Sequence, residues 1–199
     1  METLSPDQWR ALFAESNHSA LHLEMRDIYA VEDEKQRVTH FQATGSRDLS
    51  AEVQALERSW WLDLMRNSKA RGVSLRRSRI VSEPVTSYIR YEYAGTPLNI
   101  LAGEEVRWLP RTNAARLALP GADFWLFHQQ RVLFNHFTGD GGWLGNELVT
   151  DDGSSRDCAR TPSRPSGNWR LRTTSTILPR PCPRTSSRHD KHSRRDCAT

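Results

Sequence analysis

The segment DFWLFHQQRVLFNHF, residues Asp123 to Phe137, decides the fold, because two runs of large apolar residues flank a short polar turn. This pattern predicts a β-hairpin late in the chain. The aromatic residues of both strands are expected to fill a sheet face, since alternating aromatics commonly do so. His128 falls in the turn, where we expect it to be solvated.

Far before the hairpin, the chain begins with a predicted helix and a predicted strand. In SPDQWRALFAES, Ser5 is placed as the N-cap, Pro6 takes the first helical position and Gln8 completes a capping box. The next segment, ALHLEMRDIY, alternates apolar and polar residues. The alternation predicts a half-buried strand with His22 on its solvated side.

A second helix-to-strand step follows. DLSAEVQALERSWWLDLMRNSKARG predicts a helix that ends at Gly72, and VSLRRSRIV follows at once as a strand. The apolar stripe of this helix consists of Val53, Leu56, Trp60 and Leu64.

Two more elements lie before the hairpin. EPVTSYIRYEYAG predicts a helix from Pro84 that ends before Gly95, with a strand as the alternative, and EEVRWLPR predicts a strand closed by Pro110. Together these signals predict a mixed α/β (α+β) domain over residues 1–152, with helices packed on a central mixed sheet.

Two arginines, Arg77 and Arg79, share a face of the strand VSLRRSRIV with the apolar residues before them. A guanidinium that faces a packed sheet requires an anion. Either a carboxylate of the chain supplies it, or an anionic ligand binds at the strand end. The candidate carboxylates include Glu83, Glu92 and Glu104.

The wider set of candidate anion- or ligand-binding residues is Arg77, Arg79, Arg90, Glu83, His136 and Asp140. His136 and Asp140 are close enough in sequence to meet around the NHFTGDG turn. Such a pair is either a general base with its orienting carboxylate or a hydrogen bond that closes the turn. No nucleophile lies nearby in sequence, so we assign no catalytic residue and favour a domain that is not an enzyme.

Motifs for metals and phosphates are missing from the sequence. TGDGGWLGNE is glycine-rich, but it lacks the Lys-Ser/Thr pair of a P-loop and the spaced oxygen ligands of an EF-hand. The histidines before residue 153 include no i, i+4 pair with a glutamate between them. We therefore expect no bound metal and no cofactor.

Charge is divided unevenly along the 199 residues. The total is +4, but residues 1–152 carry −4 and residues 153–199 carry +8. The first part therefore offers a nucleic acid no general attraction, and binding to one would have to use the basic tail. All three cysteines lie in that tail, and no apolar run is long enough to span a membrane. A cytoplasmic protein is expected.

The tail, residues 153–199, is rich in Arg, Ser, Thr and Pro, and we expect it to be disordered. Its peptide TPSRPSGNWRLRTTST can be encoded by a nucleotide string that reads FEAVWKLATPHDEY in a shifted frame. The shifted peptide has the character of an amphipathic helix. A frameshift near Gly153 is therefore our hypothesis for the change in composition.

Four blocks carry a resemblance to a known family: WRALFAESNHSALHLEMRDIYAVEDE, RGVSLRRSRIVSEPVTSYIRYEYAGTPLN, AGEEVRWLPR and LPGADFWLFHQQRVLFNHFTGDG. They resemble the uncharacterised actinobacterial family DUF6879 over nearly all of residues 9–152, and the shifted peptide resembles its usual ending. The resemblance implies no established activity. In Streptomyces-like genomes such proteins tend to accompany helix-turn-helix regulators, which implies a regulatory partner by association.

A weaker resemblance is to the phospholipase D-like scaffold. The catalytic pattern of that scaffold, His-x-Lys followed four residues later by Asp, falls here on Gly121, Asp123 and His128. These residues cannot perform the chemistry, because the nucleophilic histidine and the phosphate-binding lysine are both replaced. If the scaffold is shared, its activity is not.

The function expected from the sequence is a non-catalytic regulatory module that binds a ligand or a protein, together with a helix-turn-helix regulator. One alternative is a hydrolase that acts on a phosphate-containing substrate through Arg77, Arg79 and His136. The other alternative is nucleic-acid binding through the basic tail.

Overall fold

A computed structural model describes residues 3–50, 59–128 and 130–150 of the chain. The helices in these ranges are α1 (Pro6–Ala14), α2 (Lys35–Thr44), α3 (Ser59–Ala70), α4 (Ser87–Leu101) and α5 (Arg111–Ala114), and a 3-10 turn, Glu32–Glu34, precedes α2. The strands are β1 (Ser19–Glu24), β2 (Ser74–Val81), β3 (Glu105–Pro110), β4 (Asp123–Phe127), β5 (Arg131–Phe137) and β6 (Trp143–Thr150). The predicted mixed α+β fold is confirmed. The predicted tail, residues 153–199, lies outside the described residues.

All six strands form one sheet in the order β3-β2-β1-β4-β5-β6. The first three strands are parallel to one another, and β4, β5 and β6 are antiparallel to their neighbours. The late hairpin is confirmed as β4 and β5, with Phe127 opposite Arg131. Strand β6 was not predicted, because the glycine-rich segment before it suggested only a loop.

The turn before β6 is built around Gly141, which has φ +93° and whose carbonyl accepts a hydrogen bond from the Ala30 amide at 2.9 Å. A β-carbon at this glycine would lie only 2.9 Å from the Ile28 carbonyl oxygen. The glycine therefore allows two backbone segments to touch.

Both faces of the sheet are covered. On one face, Phe13 of α1 and Met65 of α3 pack against Trp125 and Phe127. On the other face, Leu21, Leu23, Ile80, Phe124, Leu126 and Val132 form a second cluster. Because strand β4 supplies side chains to both clusters, all five of its residues are buried.

The helix boundaries were only partly predicted. The capping box of α1 is confirmed, since the Ser5 hydroxyl accepts from the Gln8 amide at 3.3 Å and the Gln8 side chain accepts from the Ser5 amide at 2.7 Å. Helix α4 begins after Thr86, and it continues through Gly95 to Leu101. The predicted end before Gly95 is wrong because this glycine makes room for the Arg47 guanidinium, which would lie 2.3 Å from a β-carbon.

The side of helix α3 that faces the core differs from the apolar stripe predicted from the sequence. Leu64 is buried as expected, but Trp60 is 37% exposed, whereas Leu62 and Met65 are buried. The other two stripe residues, Val53 and Leu56, lie outside the described residues. None of the helices in the described ranges has the length and apolar character needed to cross a membrane.

Candidate functional site

One face of the sheet changes from apolar to polar along each of its central strands. On β1, Ala20 is followed by His22 and Glu24; on β2, Leu75 is followed by Arg77 and Arg79; on β4, Phe127 and Trp125 lead back to Asp123. The register places His22 beside Arg77 on one neighbour and beside Trp125 on the other. Helices α1 and α3 cover the apolar half, which leaves the polar half for α4 and the segment after β1.

Arg77 and Arg79 are both buried, at 4% and 7% exposure. The Arg77 guanidinium forms a two-pronged contact with Glu104, with Nε to Oε2 at 2.8 Å and Nη2 to Oε1 at 3.3 Å. Its third nitrogen, Nη1, donates to Glu24 Oε1 at 2.7 Å. The Glu104 carboxylate also accepts a hydrogen bond from the side-chain amide of Asn99, with Nδ2 to Oε1 at 2.8 Å.

Arg79 is held by two carboxylates in the same way. Its Nη2 donates to Glu92 Oε2 at 2.6 Å, and its Nε forms an ion pair with Glu24 Oε2 at 2.6 Å that lacks hydrogen-bond geometry. The other Glu92 oxygen pairs with Arg47 Nη1 at 3.3 Å. Glu24 therefore joins the two halves of the network.

We call these six side chains the arginine–glutamate network: Arg47, Glu92, Arg79, Glu24, Arg77 and Glu104. Three positive and three negative charges alternate in it, so its formal charge is zero. Burial would raise the pKa of the Glu104 carboxyl, but the Arg77 charge and its hydrogen bonds hold that pKa below its usual value. Burial also opposes the charge of Arg77, yet Glu104 and Glu24 raise its pKa.

The network answers the question raised by the two strand arginines, because internal carboxylates satisfy both. Glu92 and Glu104 were among the predicted partners, whereas Glu83 is exposed on the surface. Glu24 was missed, because the sequence placed it on the solvated side of a half-buried strand. Arg90 is also exposed and makes no contact with the network among the contacts of the described residues.

A cleft of about 510 Å³ opens over the network, and Arg77, Arg79, Glu24 and Glu92 line it. One wall is a row of four aromatic rings: Tyr88, Tyr29, Phe137 and Trp143. The ring centroids in this row are 5.8, 5.0 and 5.0 Å apart. We call these four residues the aromatic wall.

His22 lies in the cleft between the network and Trp125. It is only 8% exposed, and neither ring nitrogen has a hydrogen-bond partner among the described residues. Its Nδ1 is 3.5 Å from Glu24 Oε1. Burial, and then the Arg77 charge, hold the pKa of His22 well below its ordinary value, so the imidazole is neutral at pH 7.

The expectation that His22 is solvated is wrong. Strand β1 lies inside the sheet, and both faces of the sheet are covered, so its polar residues are buried along with its apolar ones. The residues of β1 do alternate between apolar and polar, but both sides of the strand are buried. The apolar residues Leu21 and Leu23 pack in one core cluster, and the polar residues His22 and Glu24 line the cleft.

Asp123 is a second titratable group in the cleft. Its carboxylate accepts hydrogen bonds from the Tyr29 hydroxyl and, at 2.8 Å, from the Met25 amide. Burial raises the pKa of Asp123 to about 6, and the Glu24 charge adds to this rise, while the two hydrogen bonds oppose it. Burial also raises the pKa of Tyr29, so its hydroxyl stays protonated.

A family model described as a domain of unknown function, DUF6879, matches residues 7–164. The chain belongs to the DUF6879 family. A search of curated proteins found no match. The DUF6879 match continues twelve residues past the boundary predicted at residue 152, so that boundary stays a prediction.

Neither of the remaining predicted residues of this DUF6879 domain, His136 and Asp140, lines the cleft over the network. His136 pairs through Nε2 with Glu147 Oε2 at 2.9 Å, and Asp140 accepts from the Thr138 hydroxyl. The two side chains thus take different partners, although they are close in sequence. His136 lines an adjoining cavity of about 440 Å³, which shares Asp123, Asn135 and Phe137 with the cleft.

His128 is not simply solvated in its turn. Its Nε2 lies 2.7 Å from the Asn17 amide nitrogen and 2.6 Å from the Glu15 carbonyl oxygen, so it ties the hairpin turn to the segment after α1. Its φ is +55°, an unusual value for a residue other than glycine. This role in the DUF6879 domain is structural.

The arrangement in the cleft is suited to binding. It combines a neutral imidazole that has no hydrogen-bond partner among the described residues, a carboxylate with a raised pKa, hydroxyl groups and aromatic faces. In the described part of the chain, no group of three or more His, Cys, Asp and Glu side chains is arranged to hold a metal ion. The sequence could have pointed to Asp123, because a lone carboxylate opens the otherwise apolar strand DFWLF.

Proposed function

We propose that this domain is a non-catalytic ligand-binding module of bacterial regulation that works in the cytoplasm. The observation that carries the proposal is the cleft of about 510 Å³, on whose floor the buried His22 has no hydrogen-bond partner within residues 3–50, 59–128 and 130–150. A buried polar group without a partner costs about 1–3 kcal/mol of stability. A ligand that supplies the missing hydrogen bond would offset that cost, which supports a binding role for the cleft.

The arginine–glutamate network supports the same proposal. Buried ion pairs contribute little net stability compared with well-packed apolar residues, because desolvation opposes the attraction of the charges. A network of this size is therefore a poor device for holding a sheet together. We assign it the role of a rigid floor of the cleft, in which Arg77 and Arg79 fix the position of the Glu24 carboxylate.

The proposed partner is a helix-turn-helix regulator, and this part of the proposal rests on the family resemblance alone. The test is a pull-down of the full chain with the helix-turn-helix protein encoded next to it. We expect the pull-down to recover that protein. We also expect the amount recovered to change when a ligand occupies the cleft. If no neighbouring regulator is recovered with or without ligand, the partnership is wrong.

The ligand-binding proposal is tested by a thermal-shift screen of the full chain with a mixed library of cationic, anionic and neutral small molecules. We expect at least one class to raise the melting temperature of the wild type. The shift is expected to fall in Trp143→Ala, which removes one ring of the aromatic wall, and to persist in Trp60→Ala. Both tryptophans are partly exposed, at 41% and 37%, so the two variants are matched. If no class of molecule produces a shift that depends on Trp143, the proposal fails.

The alternative of a hydrolase for phosphate-containing substrates has less support. It needs Arg77, Arg79 and His136 to act on one substrate, but the arginines are occupied by carboxylates. His136 lines the adjoining cavity, and neither arginine lines that cavity. An assay with a generic phosphodiester substrate tests this alternative: turnover that His136→Ala abolishes would favour the hydrolase.

Nucleic-acid binding through residues 153–199 is the other alternative, and its support is the charge of +8 in that segment. Binding of this kind weakens steeply as salt rises. Measurements of DNA binding with and without residues 153–199 test it. Binding that survives removal of the segment would assign it to the acidic residues 1–152 and would contradict the charge argument.

A further inference from the structure

The cations in the cleft are already neutralised by carboxylates. Arg77 contacts Glu24 and Glu104, and Arg79 contacts Glu24 and Glu92. An anionic ligand would have to displace one of these glutamates and leave it buried without its partner, which is strongly unfavourable. The anionic ligand expected from the sequence is therefore a poor fit to this cleft.

The side chains that line the cleft carry an excess of negative charge. Its lining contains five carboxylates, Glu24, Glu32, Glu34, Glu92 and Asp123, and two guanidinium groups, Arg77 and Arg79. At the rim, Glu34 accepts from the Tyr88 hydroxyl at 2.9 Å. Glu32 is largely exposed, and its pairing with Lys35 at 3.8 Å is weak. Within the described part of the chain, the hydrogen bonds that Asp123 accepts come from two neutral donors, the Tyr29 hydroxyl and the Met25 amide.

The aromatic wall favours the same sign of ligand charge. The face of an aromatic ring carries partial negative charge, so it attracts a cation within about 6 Å of its centroid. Four such rings stand in a row beside the carboxylates. A cationic head on an apolar stem could contact the carboxylates and the rings together.

His22 determines which hydrogen-bonding group a ligand in the cleft should carry. A neutral imidazole has one N–H donor and one acceptor nitrogen. Nδ1 lies 3.5 Å from Glu24 Oε1 and is the nitrogen placed to carry the proton, so Nε2 is the acceptor that is buried and without a hydrogen-bond partner among the described residues. Ammonium and guanidinium groups carry only donors. The unfilled acceptor and the carboxylates of the lining therefore both favour a ligand group that donates N–H bonds and carries positive charge.

We propose that the cleft binds an organic cation, an ammonium or guanidinium group carried on a short apolar stem. The inference rests on the proposed ligand-binding function and names the chemical class of its ligand. Asp123 receives the charge, His22 accepts one of the N–H groups, and the aromatic wall packs on the stem.

The test measures binding of four probes to the full chain by isothermal titration calorimetry at pH 7.5. Putrescine and agmatine carry the cationic groups. 1,4-Butanediol has the same length as putrescine without the charge, and inorganic phosphate represents the anions. We expect both cations to bind and the diol to bind at least about tenfold more weakly, because hydrogen bonds to charged groups are the stronger ones.

Two pairs of variants place the binding in the cleft. Asp123→Asn removes the carboxylate that receives the cation, and Asp63→Asn is its control on the exposed surface of α3. Trp143→Ala removes part of the aromatic wall, and Trp60→Ala is its control. We expect each cleft variant to weaken cation binding by about tenfold or more and each control to leave it unchanged. Because Trp143 is partly exposed, its variant keeps the test valid even if Asp123→Asn does not fold.

The outcomes separate this inference from the function on which it rests. Cation binding that each folded cleft variant weakens supports the inference, and cation binding that Trp143→Ala leaves unchanged overturns it. Binding of the diol or phosphate that depends on Trp143, without binding of the cations, overturns the cation and leaves the ligand-binding function standing. Failure of all four probes also overturns the inference, and the wider ligand screen then decides the proposed function separately.

Discussion

His22 stacks on the indole of Trp125, with ring centroids 4.2 Å apart and ring planes inclined by 17°. The two residues are cross-strand partners on β1 and β4, so the register of the sheet sets the stack. The indole covers the face of the imidazole and leaves its two nitrogens at the cleft without hydrogen-bond partners among the described residues. The stack thus keeps a polar ring buried and available.

The first prediction concerns the energetic cost of that ring. His22→Phe keeps the stack and removes both unsatisfied nitrogens, so we expect the free energy of unfolding to stay the same or to rise by up to about 2 kcal/mol. Urea unfolding measures this. The comparison is Asn99→Leu, which removes the 2.8 Å hydrogen bond to Glu104 and should lose about 1–3 kcal/mol. A similar loss in His22→Phe would mean that the imidazole has a partner.

A second prediction concerns Glu24, which joins the two halves of the arginine–glutamate network. Glu24→Gln leaves a net positive charge buried between Arg77 and Arg79, so we expect a loss of about 3–5 kcal/mol in the free energy of unfolding. The matched control is Glu105→Gln on β3, where the half-exposed carboxylate pairs with Arg107, and where we expect a loss below about 1 kcal/mol. Equal losses in the two variants would show that the network is not a coupled unit.

The third prediction is a pH dependence that arises from Asp123. Its folded-state pKa of about 6 lies above the ordinary value of 3.8, so between these values the folded state binds more protons than the unfolded state. This carboxyl therefore stabilises the fold at low pH, and its contribution falls by up to about 1.4 kcal/mol per pH unit as pH rises through that window. The charged and polar groups that face it are Tyr29, the Met25 amide, Glu24 and Arg26.

Urea unfolding of the wild type and Asp123→Asn between pH 4 and pH 7 measures this contribution. The lowered pKa of His22 gives a slope of opposite sign, because the unfolded state then binds more protons at that site. The difference between wild type and variant cancels the His22 term and isolates Asp123. We expect the free energy of unfolding of the wild type, relative to that of Asp123→Asn, to be highest at pH 4 and to fall as pH rises. A constant difference across the range would contradict the raised pKa of Asp123.

A fourth prediction tests the contact between α4 and the network at Gly95. In most helices Gly→Ala adds up to about 1 kcal/mol of stability. Here the new β-carbon would lie 2.3 Å from Arg47 Nη1 and would push Arg47 away from Glu92 and from the Tyr91 carbonyl. We therefore expect Gly95→Ala to lower the free energy of unfolding by about 1–2 kcal/mol.

The control for Gly95→Ala is the same substitution in an Arg47→Ala background. Without the guanidinium, the alanine should be stabilising, so the two substitutions should couple in a double-mutant cycle. Additive effects would show that Arg47 does not occupy the space beside Gly95.

Much of the fold was readable from local signals. The capping box at Ser5 and Gln8, the glycine stop at Gly72 and the two apolar strands of the late hairpin depend on residues close in sequence, and each predicted its element. Signals failed where a distant segment decides the outcome. Gly95 marked no helix end because Arg47 packs against it, and β6 was missed because its pairing with β5 is visible only in the sheet.

The sequence by itself determined that two arginines must face the packed side of β2, and that they need anions. This follows from the period of a strand and from the cost of an unpaired buried charge. Only the tertiary structure decided that Glu24, Glu92 and Glu104 supply those anions, because their pairing depends on the sheet register and on how α4 lies across it. The pairing of β1 with β4 also buries His22 and Asp123 on neighbouring strands. The cleft therefore carries an excess of carboxylates where the sequence had suggested an anion site.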